Sequence, residues 1–296
     1  MAYKFKKGIR FRSGKKEYSY SITNGEMHSF IGGLPLKVET SENLETIIKN
    51  LEESEDFKYL HLGEISQEDL NTIISRIGKR IVELDINSII RSDEILDLKV
   101  LKKCKKLRKV KLSFSERKIK LWNTRFNHKL MELEITGARA LYNQNGLKSL
   151  KAKTLIIKRY SHGVSNIKEL LIKDFSIFET MPNLEKLVLS IKSKKNKEND
   201  LLSLSKLVNL KTLILPKNYF FFNQYAWLTS KLPEVGGLGC YRVEYDHANE
   251  MDSYIINGSR MNWYVRGYET NKLNKYINKF NKLVEQYKNE DVPPLN

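Results

Sequence analysis

The sequence predicts an α/β solenoid, a curved parallel sheet with helices and turns on its convex side and a cap at each end. Three observations lead there. Triplets of apolar residues with gaps of three and then two recur through the middle of the chain, helical and tight-turn connectors separate them, and both ends carry blocks of a different pattern.

The triplets are FKYLHL (57–62), IVELDI (81–86), LRKVKL (107–112), LMELEI (130–135), IKELLI (167–172), LEKLVL (184–189) and LKTLIL (210–215). Their middle residues are Leu60, Leu84, Val110, Leu133, Leu170, Leu187 and Leu213, and a further unit of unclear register lies between 147 and 157. Steps of 24, 26, 23, 17 and 26 residues occur, against roughly 20 to 29 for short strand-and-return repeats. A gap of three followed by two fits neither a helix nor a plain strand. It fits a short strand that turns alternate residues inward, preceded by an apolar residue entering from the turn before it. Each buried side chain contributes about 1.5 to 3 kcal/mol, while ordering a unit costs roughly 1 kcal/mol or more per residue. No unit can therefore stand without neighbours on which to stack.

MPNLEKLVLS (181–190) and LSKLVNLKTLILPKN (204–218) carry the pattern most fully, with Asn-Leu leading into the strand and Asn218 following the second. Over about residues 57 to 218 the chain resembles the leucine-rich repeat family. It departs from that family in the asparagine that usually follows each strand, since Ser113, Thr136 or Lys173 stands near that point. The resemblance implies a horseshoe whose inner face binds a protein partner.

The elements follow in order. Residues 1–56 read as an N-terminal cap: alternation over 3–22 around Ser13-Gly14 predicts a hairpin, and SENLETIIKNLEES predicts an amphipathic helix capped by Ser41. Within the repeats, SQEDLNTIISRI predicts a helix with Ser66 as N-cap, Asp69 three residues on, and Leu70, Ile73, Ile74 and Ile77 on one face. ETMPN (179–183) is too short for a helix and predicts a tight turn. Residues 219–296 read as a C-terminal, aromatic-rich cap. In it, FFFNQYAWLTSKLP predicts a helix, CYRVEYD, SYIING and NWYVRGYE predict strands, and Leu273, Tyr276, Ile277, Phe280 and Leu283 predict a terminal helix. This closing block resembles that of uncharacterised bacterial leucine-rich repeat proteins.

Composition sets limits. With 41% hydrophobic and 29% charged residues the chain reads as globular rather than disordered. MAYKFKKGIRFRSGKKEYSYSI lacks the apolar run of a signal peptide, and no stretch approaches a membrane span. Cys104 and Cys240 stand far apart and predict two reduced thiols. The expectation is a cytoplasmic, monomeric protein with no membrane partner. The formal charge of +17 is segregated: residues 37–98 hold fifteen acidic against seven basic side chains, and residues 99–129 hold thirteen basic ones against Glu116 alone.

Signals for catalysis are weak. No glycine-rich phosphate loop is present, and His28, His61, His128, His162 and His247 share no metal spacing. Asp246, His247, Glu250 and Asp252 cluster in YDHANEMD, but a polar cluster between strands reads more simply as a solvated turn. The expectation is a non-enzymatic protein without cofactor or metal.

Binding residues are instead expected where strand side chains face outward on the concave side. These are Tyr59 and His61, Glu83 and Asp85, Lys109 and Lys111, Glu132 and Glu134, Glu169 and Leu171, Lys186 and Val188, and Thr212 and Ile214. Lys109 and Lys111 fall between two acidic pairs, so cross-strand ion pairing is the plainer account of them. Leu171, Val188 and Ile214, expected exposed beside charges, point instead to a protein interface. Toxin neutralisation or effector regulation are roles suggested by fold analogy alone. The alternative is nucleic-acid binding through the basic segment 99–129, where Lys102, Lys103, Lys105, Lys106, Arg117, Lys118, Lys120, Arg125 and Lys129 should gather on the convex side or an edge. Only Phe114, Trp122 and Phe126 could stack on bases there. KSKKNKEND (192–200) reads as a mobile loop.

Overall fold

The computed structural model describes residues 9–10, 18–23, 26–31, 34–36, 44–53, 59–62, 65–88, 94–115, 117–148, 150–158, 172–190, 198–216, 218–246, 250–258, 264–267 and 269–294. It is a mixed α/β structure in two compact units, Met1–Leu171 and Ile172–Asn296.

The first unit opens with β1 (Ile9–Arg10), β2 (Tyr18–Thr23), β3 (Glu26–Ile31), β4 (Leu34–Leu36) and helix α1 (Leu44–Glu53). β2 pairs antiparallel with β3 from Tyr18↔Ile31 to Thr23↔Glu26, with Asn-Gly between them in the sequence, the strongest two-residue signal for a hairpin. Ser13-Gly14 and Ser41 lie outside the described residues.

Five parallel strands follow: β5 (Tyr59–Leu62), β6 (Glu83–Ser88), β8 (Lys109–Phe114), β10 (Glu132–Thr136) and β12 (Thr154–Lys158), with β1 antiparallel along β5. Leu60, Leu84, Val110, Leu133 and Leu155 share one register row, and Leu62, Ile86, Leu112, Ile135 and Ile157 another. Backbone bonds extend the ladder one residue earlier, from Arg108 N to Val82 O (2.7 Å), Met131 N to Arg108 O (2.7 Å) and Lys153 N to Met131 O (2.9 Å). Just before these, Ile81, Leu107, Leu130 and Ala152 are buried. The three rows are the three positions of the triplet.

The connector between β5 and β6 is helix α2 (Gln67–Ile77), where Ser66 Oγ accepts from Asp69 N at 3.0 Å and Leu70, Ile73, Ile74 and Ile77 are buried. Arg76 ties α2 to α1, donating to both oxygens of Glu52 (2.8 and 2.5 Å) and to Glu45 (2.6 Å). Its hydrogen bond chiefly holds the Glu52 carboxyl below the usual carboxylate range.

The later connectors hold a second small parallel sheet that the triplet pattern does not reveal. Its strands are β7 (Ile95–Asp97), β9 (Lys118–Lys120) and β11 (Ala140–Tyr142), in the order β11-β9-β7. Each leads towards a 3₁₀ segment, Leu98–Lys103, Thr124–Phe126 or Gln144–Leu147. Each buries one central residue, Leu96, Ile119 or Leu141. At the β7 edge Gln67 serves as one further rung, accepting from Asp97 N at 2.8 Å and donating to Asp97 O at 3.0 Å.

Polar side chains pin one turn to the next. Asn127, 1% exposed, donates to Leu101 O (3.1 Å) and Cys104 O (2.7 Å) and accepts from Trp122 Nε1 (2.7 Å). Asn143 Nδ2 donates to Leu121 O at 2.7 Å, and Thr124 Oγ1 to Gly146 O at 2.9 Å. These bonds satisfy carbonyls that the tight 3₁₀ segments leave pointing inward.

The second unit holds α3 (Ser176–Glu179), β13 (Lys186–Ser190), α4 (Glu198–Ser205), β14 (Thr212–Ile214), α5 (Phe222–Lys231), β15 (Tyr241–Asp246), β16 (Met251–Ile256), β17 (Tyr264–Arg266) and α6 (Thr270–Tyr287). β13 and β14 are parallel, and turns occupy 180–183 as expected. β15, β16 and β17 form an antiparallel sheet. Phe175, Phe178, Tyr219, Phe220 and Tyr225 make a continuous aromatic core, with Phe175 stacked on Tyr219 at 5.5 Å. Tyr219 OH donates to buried Asp200 at 2.8 Å, and burial foremost raises the tyrosine above its ordinary range. The segment after α5 lies along β14, with Leu213 N donating to Gly236 O (2.9 Å) and Gly236 N to Lys211 O (3.0 Å). Gly237 has φ +93°, and a Cβ there would meet Leu213 O at 2.3 Å, so only glycine fits.

Candidate protein-binding face

Strand alternation decides which side chains are available. In β5, β10 and β12 buried and half-buried residues alternate strictly. The register then assembles rungs across the first unit. Tyr59, Glu83, Lys109, Glu132 and Thr154 form one, and His61, Asp85, Lys111, Glu134 and Ile156 the next. Eight expected residues, Tyr59 to Glu134, are thereby brought onto one face. Thr154 and Ile156 join them unforeseen. Their triplet begins with Ala152, whose small side chain hides the register from a search for large apolar residues.

Polar side chains on this face meet across strands. Lys109 Nζ lies 2.9 Å from Glu132 Oε1, and His61 Nδ1 lies 3.0 Å from Asp85 Oδ2. The hydrogen bond to Glu132 chiefly holds the Lys109 ammonium above its ordinary value, with Glu83 and Glu134 adding attraction. Lys111 is exposed between Asp85 and Glu134 and forms no ion pair within 4 Å among the described residues. The face thus carries a rung whose lysine is paired beside one whose lysine remains available.

In the second unit Lys186 is exposed, Thr212 half-buried and Ile214 36% exposed. Val188 is a correction: it is 5% exposed and offers no docking surface. A short β-branched side chain, in register beside Ile214 on the next strand, has most of its surface covered by its neighbours. Glu169 and Leu171 lie outside the described residues.

The basic segment is also redistributed. Arg117 is not at the surface but 6% exposed, donating to Ile65 O at 3.2 Å, because it immediately precedes the buried core of β9. Lys120 pairs with Asp97 at 3.0 Å. Phe114 and Trp122 are fully buried and cannot stack on a base, whereas Phe126 is 39% exposed beneath Lys105 and Arg125. Of the YDHANEMD cluster, Glu250 and Asp252 are exposed and His247 lies outside the described residues. Among the described residues no group of His, Cys, Asp or Glu could hold a metal ion, and no helix is long and apolar enough to cross a membrane.

Comparison of the chain with family models, with curated proteins and with solved structures found no match.

Proposed function

We propose that the chain is a solenoid of the leucine-rich repeat type that works without catalysis by holding another protein on the outward side chains of its parallel strands. The observation that carries this reading is the pair of rungs in the first unit, where half-exposed charges of alternating sign stand at strand spacing, about 4.8 Å apart. Such banding selects a partner by charge complementarity. Glu134 asks for a cation opposite it, Lys111 asks for a carboxylate, and Ile156 supplies an apolar contact beside them, while Glu132 is held by Lys109 at the neighbouring position. Fold analogy alone supports a neutralising or regulatory role within this reading.

The test is affinity purification of the tagged chain from its native lysate at low and high salt, with and without nuclease. One stoichiometric protein should be retained in every condition, and Glu132→Lys/Glu134→Lys should release it by at least ~10-fold. Retention unaffected by the double reversal would refute this face as the binding surface.

A further inference from the structure

A second surface of the first unit, separate from the proposed protein-binding face, has a regularity the sequence alone does not display. The turns that lead into the long strands carry cations at matching positions. Arg80, Lys106, Lys129 and Lys151 stand three residues before Glu83, Lys109, Glu132 and Thr154, which occupy one rung. Arg108 and Lys153 stand one residue before that rung, where the backbone ladder still holds them in step. Arg80 donates to Leu51 O and Glu52 O. Lys105, Lys106, Arg108, Lys129, Lys151 and Lys153 have exposed side chains. Between Lys99 and Lys168 the acidic residues are Glu116, Glu132 and Glu134, and the two glutamates at 132 and 134 project from the strand face rather than from this edge.

We propose that this edge, formed by Lys105, Lys106, Arg108, Lys129, Lys151 and Lys153, is a binding rail for the phosphate backbone of a nucleic-acid duplex. Three neighbouring strands, β8, β10 and β12, span about 10 Å, and a duplex presents one charge per about 1.7 Å of its axis, or about six over that length. Six cations at the spacing of the strands match that density. A single strand is disfavoured because Phe114 and Trp122 are buried and the ring of Phe126 is already covered by Lys105 and Arg125. An acidic protein is disfavoured because the edge lacks a pocket-forming anchor, Met131 being its one exposed aliphatic side chain. Contacts of this kind position a duplex without reading its sequence.

The test is fluorescence anisotropy of the full chain with a labelled, mixed-sequence 20-base-pair duplex between 50 and 200 mM salt. With the six cations engaged, affinity should fall by roughly 10³-fold over that range. Lys106→Gln/Lys129→Gln should weaken binding at least ~10-fold and make the log–log salt slope shallower by about 1.8. Lys275→Gln/Lys282→Gln, which removes the same charge from exposed positions of α6, should change affinity less than ~2-fold. Circular dichroism confirms that each variant is folded. A flat salt response, equal effects of the two variant pairs, tighter binding of the single strand, or stronger binding of poly-glutamate than of the duplex would each overturn the assignment.

Discussion

Asn127→Ala tests whether the turns of the first unit hold one another. The side chain is buried and makes three hydrogen bonds, at 3.1, 2.7 and 2.7 Å, that join Leu101 and Cys104 of one turn to Trp122 of the next. Leu101 O and Cys104 O also accept from Cys104 N and Leu107 N, so truncation leaves each with one partner. Trp122 Nε1–H has no such reserve and becomes a buried orphan donor. Two net hydrogen bonds lost at about 0.5–1.5 kcal/mol each, plus an orphan donor at about 1–3 kcal/mol, give about 2–6 kcal/mol. Urea denaturation followed by circular dichroism measures the loss, and hydrogen exchange over residues 98–130 locates it. Trp122→Phe removes the donor, so it should cost less in the Asn127→Ala background than alone, with a coupling of about 1–2 kcal/mol. A loss under about 1 kcal/mol, or a strictly additive double variant, would refute the pinning.

Two further predictions concern titratable groups. Burial pushes the thiols of Cys104 and Cys240 up to about 12, so neither should react with a disulfide reagent at pH 8 until denaturant is added, when both should. Rapid modification of either in the native chain would contradict its burial. Glu52 is depressed from its ordinary 4.5 by the hydrogen bond from Arg76. Its stabilising share is complete above that value and is lost as pH falls through the lower, folded value. Amides of α1 should therefore lose protection from hydrogen exchange below about pH 4.5, and Arg76→Gln should remove that dependence. An acid response unchanged by the substitution would place its origin elsewhere.

The long strands are legible because they repeat an inward pair, behind a buried leader wherever the leader is described, and Leu60, Leu84, Val110, Leu133, Leu187 and Leu213 all lie where the triplet puts them. The strand holding Ile156 was obscured because alanine at 152 is apolar yet small. β7 and β9 each bury one residue and β11 two over a three-residue span, too short for any period to register. Arg117 escaped because a charged residue is expected outside, and its burial depends on the carbonyl of Ile65, fifty-two positions away. Val188 was misjudged because alternation says which way a side chain turns, whereas exposure also depends on the neighbour in register. The six-cation edge needed pairing between strands that no linear reading supplies.

The pairing of Gly236 with β14, and the close approach of Gly237 beside it, has a consequence for self-association. An uncapped parallel strand presents donors and acceptors to any passing chain and invites open-ended polymerisation. Folding the polypeptide's own backbone over that boundary, through a residue that tolerates φ +93° and no side chain, removes the template. Gly236 and Gly237 thereby shield this side of β14 from pairing with another chain.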